Sequence, residues 1–196
     1  MKILNLYSGI GGNRKLWGNK HSITSVERDP EIADVYQKLY PKDTVIVGEA
    51  CKYLQEHFSE FDFIWASPPC QSHGQYRHNV GVLGKGFSPV IPDMSLYAII
   101  VFLKTYFKGN WCVENVVPYY TPLIKPTAII QRHLFWASKD ITPKDFPKDA
   151  IRTKNKISDF EDYEAISYSK IKNKRQVLRN CVLPELGKYL LEELTK

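Results

Sequence analysis

At 196 residues, 43% hydrophobic and 24% charged, the chain has the length of one domain and a globular mix, which excludes intrinsic disorder. Lys and Arg outnumber Asp and Glu by 27 to 21, and the resulting net charge of +6 permits a polyanionic partner without demanding one. The longest apolar run, Leu96–Leu103, is under half a membrane span, so no transmembrane helix is expected. Asn5 interrupts the apolar start before a secretory core can form, so a cytoplasmic protein is expected. The four cysteines, Cys51, Cys70, Cys112 and Cys181, form no C-x-x-C pair, and histidines at zinc spacing are missing. Neither a disulfide scaffold nor a metal site is therefore expected.

Short apolar runs alternate with helical stretches. Ile3–Tyr7 predicts a strand that runs into Ser8-Gly9-Ile10-Gly11-Gly12, and Ile23–Val26 predicts a second. Asp29-Pro30 opens a helix, with Asp as N-cap and Pro at the first helical position. Thr44–Val47 and Phe61–Ala66 predict further strands, the latter stopped by Pro68-Pro69. Asp93 caps a long apolar helix that ends at Lys108-Gly109, and Trp111–Val113 predicts another strand. Pro184 begins a terminal helix bearing Leu186, Leu190, Leu191 and Leu194. This alternation predicts an α/β fold with a Rossmann-like, doubly wound, mostly parallel sheet. Residues 1–138 form the expected catalytic core, 139–174 a polar variable segment and 175–196 a return to the core.

In such sheets ligands sit beyond the carboxyl ends of the strands, and the informative residues cluster there. The glycines after the first strand suit a nucleoside-containing cofactor or a plain strand-to-helix turn. Glu27, at the end of the second strand, suits the hydroxyls of a ribose or a solvated acid beside a cap. Cys70 follows two prolines on a rigid turn, as an exposed nucleophile or an inert core thiol. The loop after it favours chemistry: residues 71–92 contain no acid, four glycines, and Arg77, Lys85, His73 and His78. That composition reads as a mobile lid closing over an anionic substrate. Glu114 suits the positioning of a polar heterocycle or the capping of a helix. Residues 115–138 again lack acids and carry Lys125, Arg132 and His133, as a nucleic-acid face or a solvated surface.

The ordered set Leu6-Tyr7-Ser8-Gly9-Ile10-Gly11-Gly12, Glu27, Pro68-Pro69-Cys70-Gln71, Glu114-Asn115-Val116, Gln131-Arg132-His133-Leu134-Phe135 and Arg179-Asn180-Cys181-Val182 resembles the AdoMet-dependent DNA cytosine-5 methyltransferases. The resemblance implies transfer of a methyl group from S-adenosyl-L-methionine to carbon 5 of a cytosine flipped out of duplex DNA. It implies that Tyr7, Gly9, Gly12, Glu27, Arg28, Glu49, Pro69, Leu96, Asn180 and Val182 hold the cofactor. Cys70 would add to carbon 6, and Glu114 would engage the ring nitrogen and exocyclic amine. Gln71, Ser72, Arg77, Lys85 and Asn115 would face the nucleic acid.

The family places arginines on alternate positions of the strand before Leu134-Phe135. Here those positions are Gln131 and His133, so either a local bulge re-aims Arg132 or His133 does the work. The short 139–174 segment implies a short target site or relaxed specificity. The expected assembly is a monomer or small homo-oligomer. An RNA cytosine-5 methyltransferase on the same scaffold, and a weakly active AdoMet- or DNA-binding subunit that needs a partner, are the competing expectations.

Overall fold

The computed structural model describes residues 1–146 and 171–196. Most of the variable segment, including its basic stretch Ile151–Lys156 and acidic stretch Asp159–Glu164, lies outside the described residues.

Among the described residues seven strands form one sheet: β1 (Lys2–Leu6), β2 (Ser22–Glu27), β3 (Thr44–Val47), β4 (Phe63–Ala66), β5 (Asn110–Val116), β6 (Ala128–Ile130) and β7 (His133–Ala137). Their order is β3-β2-β1-β4-β5-β7-β6. The first five run parallel, while β7 is antiparallel to both β5 and β6. The helices among the described residues are α1 (Pro30–Leu39), α2 (Ala50–His57), a one-turn α3 (Leu83–Lys85), α4 (Ser95–Tyr106), α5 (Lys174–Arg179) and α6 (Pro184–Leu194). This is the Rossmann-like, doubly wound architecture that the alternation predicts. Among the described residues no helix is long and apolar enough to cross a membrane.

Alternation along the central strands divides the core in two. Leu4, Leu6, Ile64, Ala66 and Val113 face α2 and α4, where Leu54, Ile99, Ile100 and Leu103 are buried. Ile3, Phe63, Trp65, Cys112 and Phe135 face the opposite layer, filled by Trp17 and by Leu186, Leu190, Leu191 and Leu194 of α6. A third cluster under α1 and α5 joins Ile10 to Val35, Leu178 and Cys181.

Local chemistry sets the element ends. The Asp29 side chain accepts from the Glu31 and Ile32 N–H groups, and Pro30 opens α1, as the sequence predicts. Such a cap is worth about 1 kcal/mol. Asp93 acts one residue further out than predicted: its carboxylate accepts from Ser95 N–H at 3.0 Å, and Met94 occupies the cap position of α4. β5 runs three residues past the predicted end, so Glu114, Asn115 and Val116 belong to the strand itself. β4 begins at Phe63 because Phe58–Glu60 close a tight helical turn before it.

Candidate functional site

The strand order reverses between β1 and β4, with β2 on one side of β1 and β5 beyond β4. At that switch point the carboxyl ends of the strands splay apart and leave a crevice. A cavity of about 890 Å³ fills it, lined by the loop after β1, the ends of β2 and β3, the Ser67–Gln71 turn, Glu114, Arg132, His133 and the α5–α6 connection.

One rim is made largely of backbone. β1 stops one residue earlier than predicted because Tyr7 takes a left-handed conformation, φ 55°, which a bulky residue adopts only under surrounding constraint. Its hydroxyl shares a 3.1 Å hydrogen bond with Cys51 Sγ, and burial followed by this contact raises the phenol pKa. Gly9 is also left-handed, φ 54°, and donates its N–H to Glu27 Oε2 at 3.0 Å. The second carboxylate oxygen, Glu27 Oε1, accepts from Asp29 N–H at 3.0 Å. Gly12 serves close approach: a Cβ there would lie 2.6 Å from Cys181 Cβ and 3.0 Å from the Val182 carbonyl. Its absence lets Asn180–Val182 close against the loop. Arg28 and Glu49 form a loose 3.8 Å pair at the mouth, with side chains 79% and 66% exposed.

These residues fit an adenosine-type cofactor. A Cβ added at Gly9 would meet no atom within 4 Å, so the glycine leaves a cradle open to the cavity that a ligand can fill. Each Glu27 oxygen already accepts one N–H and keeps acceptor capacity for a diol hydroxyl. Tyr7, Gly9, Gly12, Glu27, Arg28, Glu49, Pro69, Asn180 and Val182 all line the cavity. Leu96 does not: it is 2% exposed and packed in the core beneath α4, a correction to the cofactor set that follows from the apolar face of that helix.

The opposite rim is made of side chains. The Pro68-Pro69-Cys70 turn follows β4 and is braced by Asn115, whose Nδ2 donates to the Pro68 carbonyl at 2.9 Å. The Cys70 carbonyl accepts from His73 and Gly74 N–H groups at 3.0 and 3.1 Å, closing the turn from the other side. Burial first, and then the Glu114 carboxylate, push the Cys70 thiol up to about 11, while Arg132 pulls it back down. Glu114 and His133 are 6% and 4% exposed, and His133 Nδ1 is hydrogen-bonded to Glu114 Oε1. The two sit on one face of the sheet because Val116 is in register with His133, two residues along from Glu114.

The open question about the last strand motif has a structural answer. Gln131 and Arg132 are not in a strand; they form the two-residue turn between β6 and β7, with Gln131 left-handed at φ 56°. The turn places Arg132 on the cavity wall, where its Nη2 donates to the Arg179 carbonyl at 3.0 Å. His133, the first residue of β7, takes the position beside the carboxylate. Arg132 and His133 therefore both face the site, by different means.

The residues expected to face nucleic acid divide. Gln71 lines the cavity. Lys85 is exposed on α3, and Arg77 is tied through Nη2 to the Ser88 carbonyl within the same loop. Asn115 is 1% exposed and spent on the Pro68 carbonyl and on Val116 N–H, so it braces the Pro68-Pro69-Cys70 turn from within the fold. Ser72 Oγ accepts from Asp93 N–H at 2.9 Å and ties the two ends of the loop together. His73, grouped by sequence with the lid cations, is instead fully buried. The loop is partly ordered as a wide helical turn over Tyr76–Val82, followed by α3. It exposes Tyr76, Leu83, Phe87, Val90 and Ile91. Among the described residues no three His, Cys, Asp or Glu side chains gather as metal ligands would.

Comparison with known proteins agrees with the motifs over the first part of the chain. Residues 1–86 match the family model described as C-5 cytosine-specific DNA methylase. Among solved structures, the chain is similar to a triple mutant of DNMT2 from Spodoptera frugiperda, with 27% identity and a TM-score of 0.42, covering 59% of this chain and 35% of that one. It is similar to the Entamoeba histolytica methyltransferase EhMeth, with 15% identity and a TM-score of 0.39, covering 59% and 38%. It is also similar to Aeropyrum pernix fibrillarin in complex with natively bound S-adenosyl-L-methionine, with 12% identity and a TM-score of 0.37, covering 59% and 46%. The chain thus spans less than half the length of each of these three. No curated protein matches it.

Proposed function

We propose that this chain is an S-adenosyl-L-methionine-dependent cytosine-5 methyltransferase that acts on DNA through a covalent Cys70 adduct. One observation carries the proposal: Cys70 and the Glu114–His133 pair line the same cavity as the open cradle at Gly9 and the Glu27 carboxylate. A nucleophile and an acid thus stand across one space from a nucleoside-shaped site.

When bound, the cofactor supplies an electrophilic sulfonium methyl group. It would be held by Glu27 at the ribose hydroxyls, by Gly9 and Gly12 where the backbone approaches it closely, and by Arg28 and Glu49 at the adenine edge. The chain's own groups prepare the base to accept the methyl. Cys70 gives up its thiol proton to solvent, Sγ forms a bond to carbon 6 of cytosine, and the displaced electron pair of the ring double bond makes carbon 5 nucleophilic. Glu114 Oε1 is engaged by His133, which leaves Oε2 for the ring nitrogen and its developing charge. The thiol is almost wholly protonated at neutral pH in the free protein. Arg132 supplies the positive charge that favours the thiolate. After methylation, loss of the carbon 5 proton restores the double bond, and the carbon–sulfur bond breaks to release Cys70.

The target carbon is inaccessible in a stacked duplex, so the base must be extruded into the cavity. The acid-free stretches 71–92 and 115–138 flank the site and suit a phosphate backbone. The test is transfer of labelled methyl from S-adenosyl-L-methionine to duplex DNA and, in parallel, to tRNA. Cys70→Ala is expected to lower transfer by about a thousandfold or more with cofactor binding retained. Cys70→Ala with most of its activity intact would overturn the covalent mechanism. Transfer to tRNA alone would reassign the substrate, and cofactor binding without transfer to either would mark a subunit that needs a partner.

A further inference from the structure

His73 is the one fully buried histidine, and the proposed chemistry does not use it. Its two ring nitrogens are both engaged. Nε2 lies 3.0 Å from the Asp93 carbonyl, and Nδ1 lies 2.5 Å from the Tyr120 hydroxyl. A carbonyl can only accept, so Nε2 carries the proton and Nδ1 must accept from Tyr120. The polarity continues outward: Tyr97 donates to Tyr120 at 3.4 Å, and Leu123 N–H donates to Tyr97 at 3.2 Å. Every proton in the chain has one consistent place, and burial lowers the His73 pKa, which keeps the ring neutral.

His73 and the two partners of its ring belong to three segments. His73 itself is in the Cys70 turn, since its N–H donates to the Cys70 carbonyl. Asp93 ends the lid and opens α4. Tyr120 lies beyond β5, in the segment that pairs through Pro118 with Gly74 and through Tyr119 N–H with the His73 carbonyl. Ser72 Oγ, accepting from Asp93 N–H, adds a second tie between the lid's two ends. The near side of the loop is held further by Gln75 Nε2, which donates to the Pro118 carbonyl at 3.4 Å, and by His78, stacked on Tyr119 at 4.4 Å, while Tyr76, Leu83, Phe87 and Ile91 stay exposed.

We propose that His73 is a positioning residue, the pivot on which the 75–92 lid turns while the Cys70 turn stays fixed. One neutral imidazole, held in a single tautomer, joins the nucleophile turn, the far end of the lid and the segment after β5. The catalytic consequence rests on the methyltransferase proposal; the pivot itself does not.

The experiment therefore has a readout independent of activity. Lys85, exposed within the lid, is a trypsin site. In the full chain, His73→Gln keeps a donor for Asp93 but moves its acceptor, the amide oxygen, off the Nδ1 position that faces Tyr120, and Tyr120→Phe removes the donor from a partly exposed side chain. Each is expected to speed cleavage after Lys85 by about tenfold, by populating lid-open states. The double variant should be no faster than the worse single one, because both break one network. On the methyl-transfer assay, kcat should fall by about tenfold with KM for S-adenosyl-L-methionine unchanged, since the lid and not the cofactor rim is loosened. Wild-type cleavage rates in Tyr120→Phe, or effects that add in the double variant, would overturn the pivot. If the wild-type chain transfers no methyl group, the cleavage rates still decide the matter, and only the catalytic reading fails. Should His73→Gln not fold, Tyr120→Phe and its cleavage rate carry the decision.

Discussion

The two rims of the cavity are built on different principles. The rim proposed to hold the cofactor is shaped by main-chain groups, as in Gly9 N–H donating to Glu27 and the close approach of Gly12 to Cys181 and Val182. The rim proposed to do the chemistry is shaped by buried side chains: Asn115 reaches the Pro68 carbonyl, and Glu114 meets His133. Main-chain donors arrive with the fold and tolerate changes in neighbouring side chains. Buried polar side chains depend on every partner, because each lone pair or proton left unmatched costs about 1–3 kcal/mol. The contrast teaches that binding and turnover in this protein should fail separately.

Substitutions can break that contrast or sharpen it. After the loss expected for Cys70→Ala, the next largest effect belongs to Glu114→Gln, which keeps the shape but not the acid. It should lower kcat by about a hundredfold or more, in the range seen for removal of one preorganised group at a developing charge. Cofactor affinity, measured by calorimetry, should be unchanged; a parallel loss of affinity would show that the rims are coupled. Glu27→Ala is the mirror experiment. It removes a carboxylate that accepts from Gly9 and Asp29, and should weaken cofactor binding by about ten- to a hundredfold, the worth of charge-assisted hydrogen bonds.

The thiol itself gives a substrate-free probe. Alkylation of Cys70, followed peptide by peptide in a mass spectrometer, should rise about tenfold per pH unit and level off only near 11, because burial and Glu114 favour the protonated thiol. Arg132→Ala should move that plateau higher. The smallest effect is expected for Arg28→Ala. Its ion pair with Glu49 is long and solvent-screened, so only an exposed contact at the adenine edge is lost and cofactor affinity should fall by about two- to fivefold.

Legibility in the sequence follows the same division. The Asp29-Pro30 start of α1, the parallel strands and the glycine loop were readable because caps, alternation and turn residues act within a few positions. The Gln131-Arg132 turn was hidden, since nothing in those two residues demands a reversal and Gln131 bears a left-handed φ that its side chain does not favour. Ser72 and Asn115, expected to face the nucleic acid, and His73, counted with the basic loop, each have partners inside the fold. A polar residue in a motif looks the same whether it meets a ligand or holds the turn that carries the nucleophile. Only the third dimension shows Asp93, Tyr120 and Pro68 already occupying them. The resemblance implies a cofactor role for Asn180 and Val182, but the reason they lie against Gly12, a glycine with no room for a Cβ, is visible only in the fold.

The cofactor loop also rests on the far end of the chain. Trp17 Nε1 donates to the Gly187 carbonyl at 3.1 Å, 170 residues away, and a Cβ on Gly187 would strike the Asn13 carbonyl at 2.3 Å. This contact orders events during synthesis. At bacterial or eukaryotic elongation rates, roughly 10–30 s separate the emergence of these two residues from the ribosome. Through that interval the glycine loop exists without its floor. A nascent chain can assemble β1, β2 and α1 early, yet the glycine loop gains this support only after Gly187 has been made.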